Sequence, residues 1–359
     1  MNNSDTADRR ASSRETAPAH ATISEQTDFV RLLREHNENA VTLYAKVSGD
    51  RCVEVLVPFK GNRCAHYGFG KNKNDDFILF RDGAVSDLET ISLPAGGEEY
   101  VARKRFEALQ PWSNKEFAIC VSPAESGFKP QWLPEHNRTG TVFAVSQHIW
   151  FDDTEMTDWS AEQSFRKVRS VRIVQRMIGR HTDDPSSPVA EIDCSHTIDA
   201  NGVAVQSAIH WLRPVTVSAG YGMMFPVVGS FPGTLVTGLG HAYEATATDN
   251  SHTDLIDDDR SLSYAYLRRA ADADMTDRAA ADTVVAMTIG DIAATFRYGC
   301  EGRRKGKPLV WLQHRNAAIQ KLYPQVYEHY TVRAGETYEA SGVYFIGELP
   351  DARQLAGGK

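Results

Sequence analysis

Apolar residues recur with two periods along the chain, and the change falls near Ala40. Before it, Phe29, Leu32 and Leu33 in EQTDFVRLLREHN stand at helical spacing. With Ser24 as N-cap, they predict one short helix. After it, Val41, Leu43, Ala45 and Val47 alternate with polar positions until Ser48-Gly49-Asp50 breaks the run, and CVEVLVPF follows. That pattern predicts a β-hairpin. HYGFG, DDFILFRDG and KEFAICVSP continue as strands, separated by turn signals at Gly61-Asn62, Asp82-Gly83 and Gly96-Gly97.

Beyond Thr141 the runs lengthen. TVFAVSQHIWF, KVRSVRIVQRMIGRH and PVAEIDCSHTIDANGVAVQSAIHWLRPVTVSAGYGMMFPVV read as strands, with Asn201-Gly202 as a hairpin turn. SYAYLRR, PLVWLQHR and VYEHYTVRAGETYEASGVYFIGEL complete the set around Gly335, and the Ala-rich stretch 269–282 reads as a short helix or a loop. The fold class expected is mainly β: a large antiparallel β-sandwich of the supersandwich kind, a smaller N-terminal β-rich region and few short helices. The boundaries are a polar tail over 1–23, the N-terminal region over 24–122, a linker over 123–140 with three prolines and two glycines, the sandwich over 141–349, and a tail over 350–359.

Because side chains alternate faces along a strand, these runs divide into two sides. Val203, Val205, Ser207, Ile209 and Trp211 form one face, and Gln206, Ala208 and His210 the other. Arg172, Arg176 and Arg180 likewise oppose Val171, Ile173 and Met177. Alternation with arginine solvates one face of a sheet. The alternative is a basic groove that positions carboxylate or sulfate, whose geometry the guanidinium fork matches.

The candidate chemistry follows from these faces. His210 as base and Tyr221 as acid suit proton transfer at a sugar ring, with Arg172 and Arg176 neutralising a carboxylate. Gln206, His148, Trp150, His241, His314 and Arg315 complete the expected substrate contacts. For each imidazole, His196 included, the alternative is a core histidine satisfied by the backbone. The acidic loop Asp152, Asp153, Glu155 and Asp158 offers paired carboxylates or a calcium site, against a merely solvated loop. His252, Asp254, Asp257, Asp258 and Asp259 lack metal-site spacing. Trp159, Trp211, Tyr264, Tyr266 and Trp311, with Trp150 and Tyr221, serve sugar stacking or core filling.

Composition narrows the classes. A net charge of −8 and a pI near 5.9 disfavour nucleic acid or anionic lipid as whole-protein partners. The five cysteines are dispersed and form no CxxC, so neither a zinc site nor a disulfide framework is expected. No stretch has the length of a transmembrane helix and the first residues lack a secretory core, which leaves a cytoplasmic location or export by another route. GxGxxG after a strand, Walker A and GxSxG are all missing, so no nucleotide cofactor is expected.

The stretch from Val168 to Pro226, with the closing YTVRAGETYEASGVYFIG, resembles the long-stranded sandwich of galactose-mutarotase-like proteins. That superfold recurs as a domain of several polysaccharide lyases. The resemblance implies a catalytic histidine paired with a carboxylate; His210 fits the first role and no position matches the second. The resulting expectation is a carbohydrate-active protein, a lyase or mutarotase-type enzyme on a uronate-containing glycan. The alternative is a non-enzymatic glycan-binding or adhesive module of a surface or phage tail assembly.

Overall fold

In the computed structural model of the chain, the alternating apolar positions become the inner faces of two antiparallel sheets. The structure describes residues 26–37, 42–49, 52–72, 74–123, 127–135, 139–255, 261–269, 282–298 and 309–350. The expected tail 1–23, residues 351–359 and most of the Ala-rich stretch 269–282 lie outside the described residues, as do Asp257, Asp258 and Asp259.

The first sheet begins with β1 (Leu43–Val47), β2 (Val53–Pro58), β3 (Arg63–Lys71), β4 (Ile78–Ser92) and β5 (Glu98–Leu109) as successive neighbours. The order then runs through β15 (Phe225–Val228), β22 (Ile319–Val332), β14 (Val215–Gly222), β6 (Phe117–Pro123) and β7 (Gln131–Leu133). Short β10 (Arg166–Val168) borders β1, while β21 (Val310–Asn316) pairs with β22 and carries β18 (His252–Asp254). In the second sheet the order is β17 (Ala242–Glu244), β16 (Pro232–Thr237), β19 (Ser263–Arg268), β20 (Thr283–Ile289) and β23 (Thr337–Glu348). It continues with β13 (Gly202–Trp211), β12 (Asp184–Asp199), β11 (Val171–His181), β8 (Val142–Phe151) and β9 (Thr154–Glu155).

The division at 123–140 does not separate two sheets. β14, β15, β21 and β22 of the later region pair into the first sheet, and β7 inside the expected linker pairs with β6. Rings bridge the two layers: Phe80 of β4 lies 5.6 Å from Tyr344 of β23, and Phe225 of β15 lies 4.8 Å from Tyr266 of β19. The expected hairpins form at Gly49 between β1 and β2 and at Gly202 between β12 and β13.

Helix α1 (Phe29–His36) is capped by Asp28, whose side chain accepts from the Arg31 N–H, rather than by Ser24. Asp28 sits directly before the first helical turn, where an N-cap acceptor reaches an unpaired backbone donor. Phe29, Val30 and Leu33 of α1 bury against Ala265, Leu267, Val284, Ala286 and Phe345 on the outward side of the second sheet. The helix therefore covers the β19–β20–β23 end of that side. The end formed by β8, β11, β12 and β13 is left open, and Arg172, Arg176, Asp193 and Gln206 are exposed on it. A second short helix, α2 (Ile292–Thr295), follows β20 with Asp291 as its N-cap.

Candidate functional site

Three neighbouring strands, β12, β13 and β23, build a polar surface on this open face. Register sets Asp193 of β12 opposite Ala208 of β13, and Ala208 opposite Glu339 of β23. The strand period puts Gln206 and His210 on the same side, two positions either way from Ala208. A methyl group thus forms a floor ringed by two carboxyl groups, an amide and an imidazole. A cleft of about 550 Å³ lies here, lined by Asp193, Ser195, Gln206, Ala208, Glu339 and Ser341, with Asp291 and Ala294 bounding it beside β23.

His210 stands one row beyond the floor and is 45% exposed, so solvent and solutes reach it. Its Nδ1 is hydrogen-bonded to the Thr337 hydroxyl at 2.8 Å, and its Nε2 lies 3.9 Å from Oδ2 of Asp193. One ring nitrogen is thereby fixed and the other faces a carboxyl group, which orients an imidazole for proton transfer. Glu191, the register partner of His210, holds Arg176 through an Nη2–Oε2 contact of 2.9 Å. Asp193, Glu339 and Asp291 line the cleft and no Lys or Arg does, while Arg176, the register partner of Asp193, borders it; carboxyl groups therefore dominate its lining.

The structure divides the residues expected from the sequence. His148, Trp150, Arg172, Arg176, Gln206 and His210 all belong to the open face. Within that group, Gln206 lines the cleft and His210 borders it. Trp150 is flanked by its neighbours: the Arg172 guanidinium lies 4.5 Å from its ring centroid and the His148 ring stacks at 5.3 Å. His148 is further tied to Glu155 at 2.6 Å. Arg176 pairs with Glu191 at 2.9 Å and stands opposite Asp193 across β11 and β12, so two carboxyl groups already neighbour it.

The other expected residues lie elsewhere. Tyr221 belongs to β14 in the first sheet. Its neighbour Gly222 approaches Tyr338 of the second sheet, so Tyr221 points away from that sheet. It packs among Trp132, Trp311 and Tyr323, and burial raises its phenol above the ordinary value. Arg315 lies on β21 of the same first sheet, and His241 sits in the turn between β16 and β17 at the far edge of the second. His314 is buried on β21 against the Thr253 hydroxyl, and burial lowers its imidazole. The pairing of His210 with Tyr221 as base and acid is therefore not assembled: the chain leaves the second sheet after Trp211 and enters the first at Val215.

The acidic loop after β8 has local duties. Asp152, at φ +55°, accepts from the N–H groups of Arg169 and Ser170, and Asp158 accepts from both the N–H and the hydroxyl of Ser160. Among the described residues no three His, Cys, Asp or Glu side chains converge on a metal position.

Sequence reasoning missed Asp193 and Glu339. Both lie on the exposed side of strands that were identified; Asp193 faces Ala208 across the β12–β13 hairpin, whereas Glu339 reaches it only through register with β23, far along the chain.

No protein-family model matches the chain, and no curated protein matches it. Among solved structures, one similar chain is described as a "putative aldose 1-epimerase" from Klebsiella pneumoniae subsp. pneumoniae MGH 78578. The match covers 90% of this chain and 87% of that one, with a TM-score of 0.39 and 10% identity. At that distance the likeness concerns fold alone and transfers no residue role.

Proposed function

We propose that the cleft over Ala208 binds a neutral sugar and exchanges protons at its anomeric centre. The observation that carries this is the ring of Asp193, Gln206, Glu339 and His210 around one small residue on an open sheet face. Glu339 and His210 are diagonal neighbours across adjacent strands, roughly 7–8 Å apart. That span lets two side chains address a hydroxyl and the ring oxygen of one pyranose from different sides.

In this scheme Glu339 removes the proton from the O1 hydroxyl while His210 gives a proton to the ring oxygen. The bond from C1 to the ring oxygen breaks, leaving an open-chain aldehyde. Rotation about C1–C2 and closure on the other carbonyl face, with both proton transfers reversed, give the second anomer. Asp193, with Oδ2 3.9 Å from Nε2, helps to orient the imidazole over the cleft. Gln206 supplies amide hydrogen bonds to hydroxyl groups.

The acidic lining argues against a uronate at this position, because bringing a carboxylate beside Asp193 and Glu339 adds like charge. The test is polarimetry of freshly dissolved α-anomers of several aldoses. The native protein is expected to accelerate the approach to equilibrium, and His210→Ala and Glu339→Gln to lower that rate by roughly 10²-fold or more. No acceleration with any aldose, or full rates in both variants, would overturn the proposal. Saturable sugar binding without acceleration would instead make this a binding module.

A further inference from the structure

The outward side of the first sheet carries a second cluster, of different character, well separated in topology from the cleft. Tyr221 of β14 is surrounded by Trp132 of β7 at 5.9 Å, Trp311 of β21 at 5.6 Å and Tyr323 of β22 at 4.8 Å. Trp311 and Tyr323 stack on each other at 5.8 Å. All four rings are only partly buried. Side chains that serve only the core would be sealed, as Trp211 and Tyr327 are on the inner faces.

Two cations border these rings. Lys321 lies two positions from Tyr323 on β22, with Nζ 4.9 Å from its ring centroid. Arg315, on neighbouring β21, is close enough for its charge to act on both Lys321 and Tyr323. Among the described residues neither cation has a carboxylate within salt-bridge distance. The Lys321 side chain is nevertheless largely withdrawn from water, which with Arg315 pushes its ammonium down to about 8. Holding two like charges together, one of them desolvated and without a counter-ion, costs stability. The chain carries a net charge of −8, so these cations stand out against the general field.

We propose that the Trp132–Tyr221–Tyr323–Trp311 cluster, with Lys321 and Arg315, binds an acidic saccharide, its ring against the aromatic surface and its carboxylate between the two cations. Aromatic faces take the C–H surface of a pyranose, and the tyrosine hydroxyls can meet its hydroxyl groups. A carboxylate supplies the counter-charge that Lys321 lacks, and the Arg315 guanidinium offers it paired N–H donors. The two faces then differ by charge: a neutral sugar suits the acidic cleft, and an anionic one suits this cationic, aromatic surface. This inference does not rest on the chemistry proposed for the cleft.

Tryptophan fluorescence of the full chain, titrated with oligogalacturonate and with neutral galacto-oligosaccharide, tests it, because Trp132 and Trp311 form part of the surface. Saturable change with oligogalacturonate alone is expected, weakened at least tenfold in both Lys321→Met and Arg315→Ala and unchanged in His210→Ala. Arg315 is exposed, so its variant remains informative should Lys321→Met fold poorly. No saturable change, or equal binding by the Arg315→Ala variant, would overturn the proposal. Equal response to benzoate or sulfate would overturn its saccharide component, and loss of binding in His210→Ala would relocate the ligand to the cleft.

Discussion

His196 Nε2 lies 2.8 Å from Oε1 of Glu116, and the two side chains, 0% and 2% exposed, join the second sheet to the first through the middle of the core. The same carboxylate accepts the Phe80 N–H at 2.6 Å and the Lys115 N–H at 3.1 Å. Burial alone would raise the Glu116 carboxyl. The hydrogen bond and charge of His196, the Phe80 N–H and the Lys115 charge outweigh it and hold the group below its ordinary value of 4.5.

Acid should therefore destabilise the fold through this pair. A carboxyl whose folded value is depressed contributes stability above its unfolded value, and that contribution disappears as pH falls through the folded one. Urea unfolding measured from pH 7 downward should show stability declining below about pH 4.5. Glu116→Gln should flatten that decline, and an unchanged acid slope in the variant would count against it. Glu116→Ala, which strands His196 and two backbone donors, should cost about 3–5 kcal/mol.

Lys115 gives a second prediction from the same region. Its Nζ donates to the carbonyl oxygens of Phe80, Arg81, Gln110 and Ser113, at 2.8–3.1 Å, beneath complete burial. Lys115→Met preserves the aliphatic stem over the Phe80 ring but leaves those acceptors without their donor. The expected loss is about 3 kcal/mol, read from chemical denaturation. A variant within about 0.5 kcal/mol of the native protein would mean water or backbone relaxation satisfies the carbonyls instead.

Much of this architecture was legible because strand alternation is a local property. Val171, Ile173 and Met177 inward with Arg172, Arg176 and Arg180 outward is what β11 shows, and Asn201-Gly202 does turn β12 into β13. Even the inward side of His196 follows from its place between Cys194 and Ile198. What alternation lacks is the identity of neighbouring strands. Glu116 is 80 residues from His196, and Glu339 meets Ala208 only through register. Tyr221 follows His210 closely in sequence, yet the intervening turn switches sheets. For the same reason an expected boundary at 123–140 cannot be seen as a break in the first sheet.

The floor of the cleft yields a prediction that separates site from scaffold. Ala208 points outward from β13 and is only partly buried, so a larger side chain there meets cleft space rather than core. Ala208→Leu should change stability by no more than about 0.5 kcal/mol. It should abolish aldose turnover and sugar binding by filling the space between Asp193 and Glu339. Isothermal titration with a slowly converted sugar, together with thermal melting, checks both halves. Undiminished binding in a folded Ala208→Leu protein would place the sugar site elsewhere.

The β12–β13 hairpin fixes the register on which that site depends, and Gly202 is where it is most constrained. Its φ is +96°, and a Cβ there would stand 2.3 Å from the carbonyl oxygen of Tyr344 on β23. Alanine meets both penalties at once: a backbone region disfavoured for L-residues and a clash with the adjacent strand's backbone, which cannot swing aside. Gly335, at φ +85°, precedes β23 but has open space where a Cβ would stand. Gly335→Ala should therefore cost about 1 kcal/mol, from the backbone conformation alone. Gly202→Ala should cost about 3 kcal/mol or more and also impair the cleft, since the strand carrying Ala208 must shift against Asp193 and Glu339. Parallel denaturation and sugar-binding measurements on the two variants read the difference. Equal losses in stability would show that the Tyr344 carbonyl yields easily, and that the hairpin does not hold the register as tightly as its geometry implies.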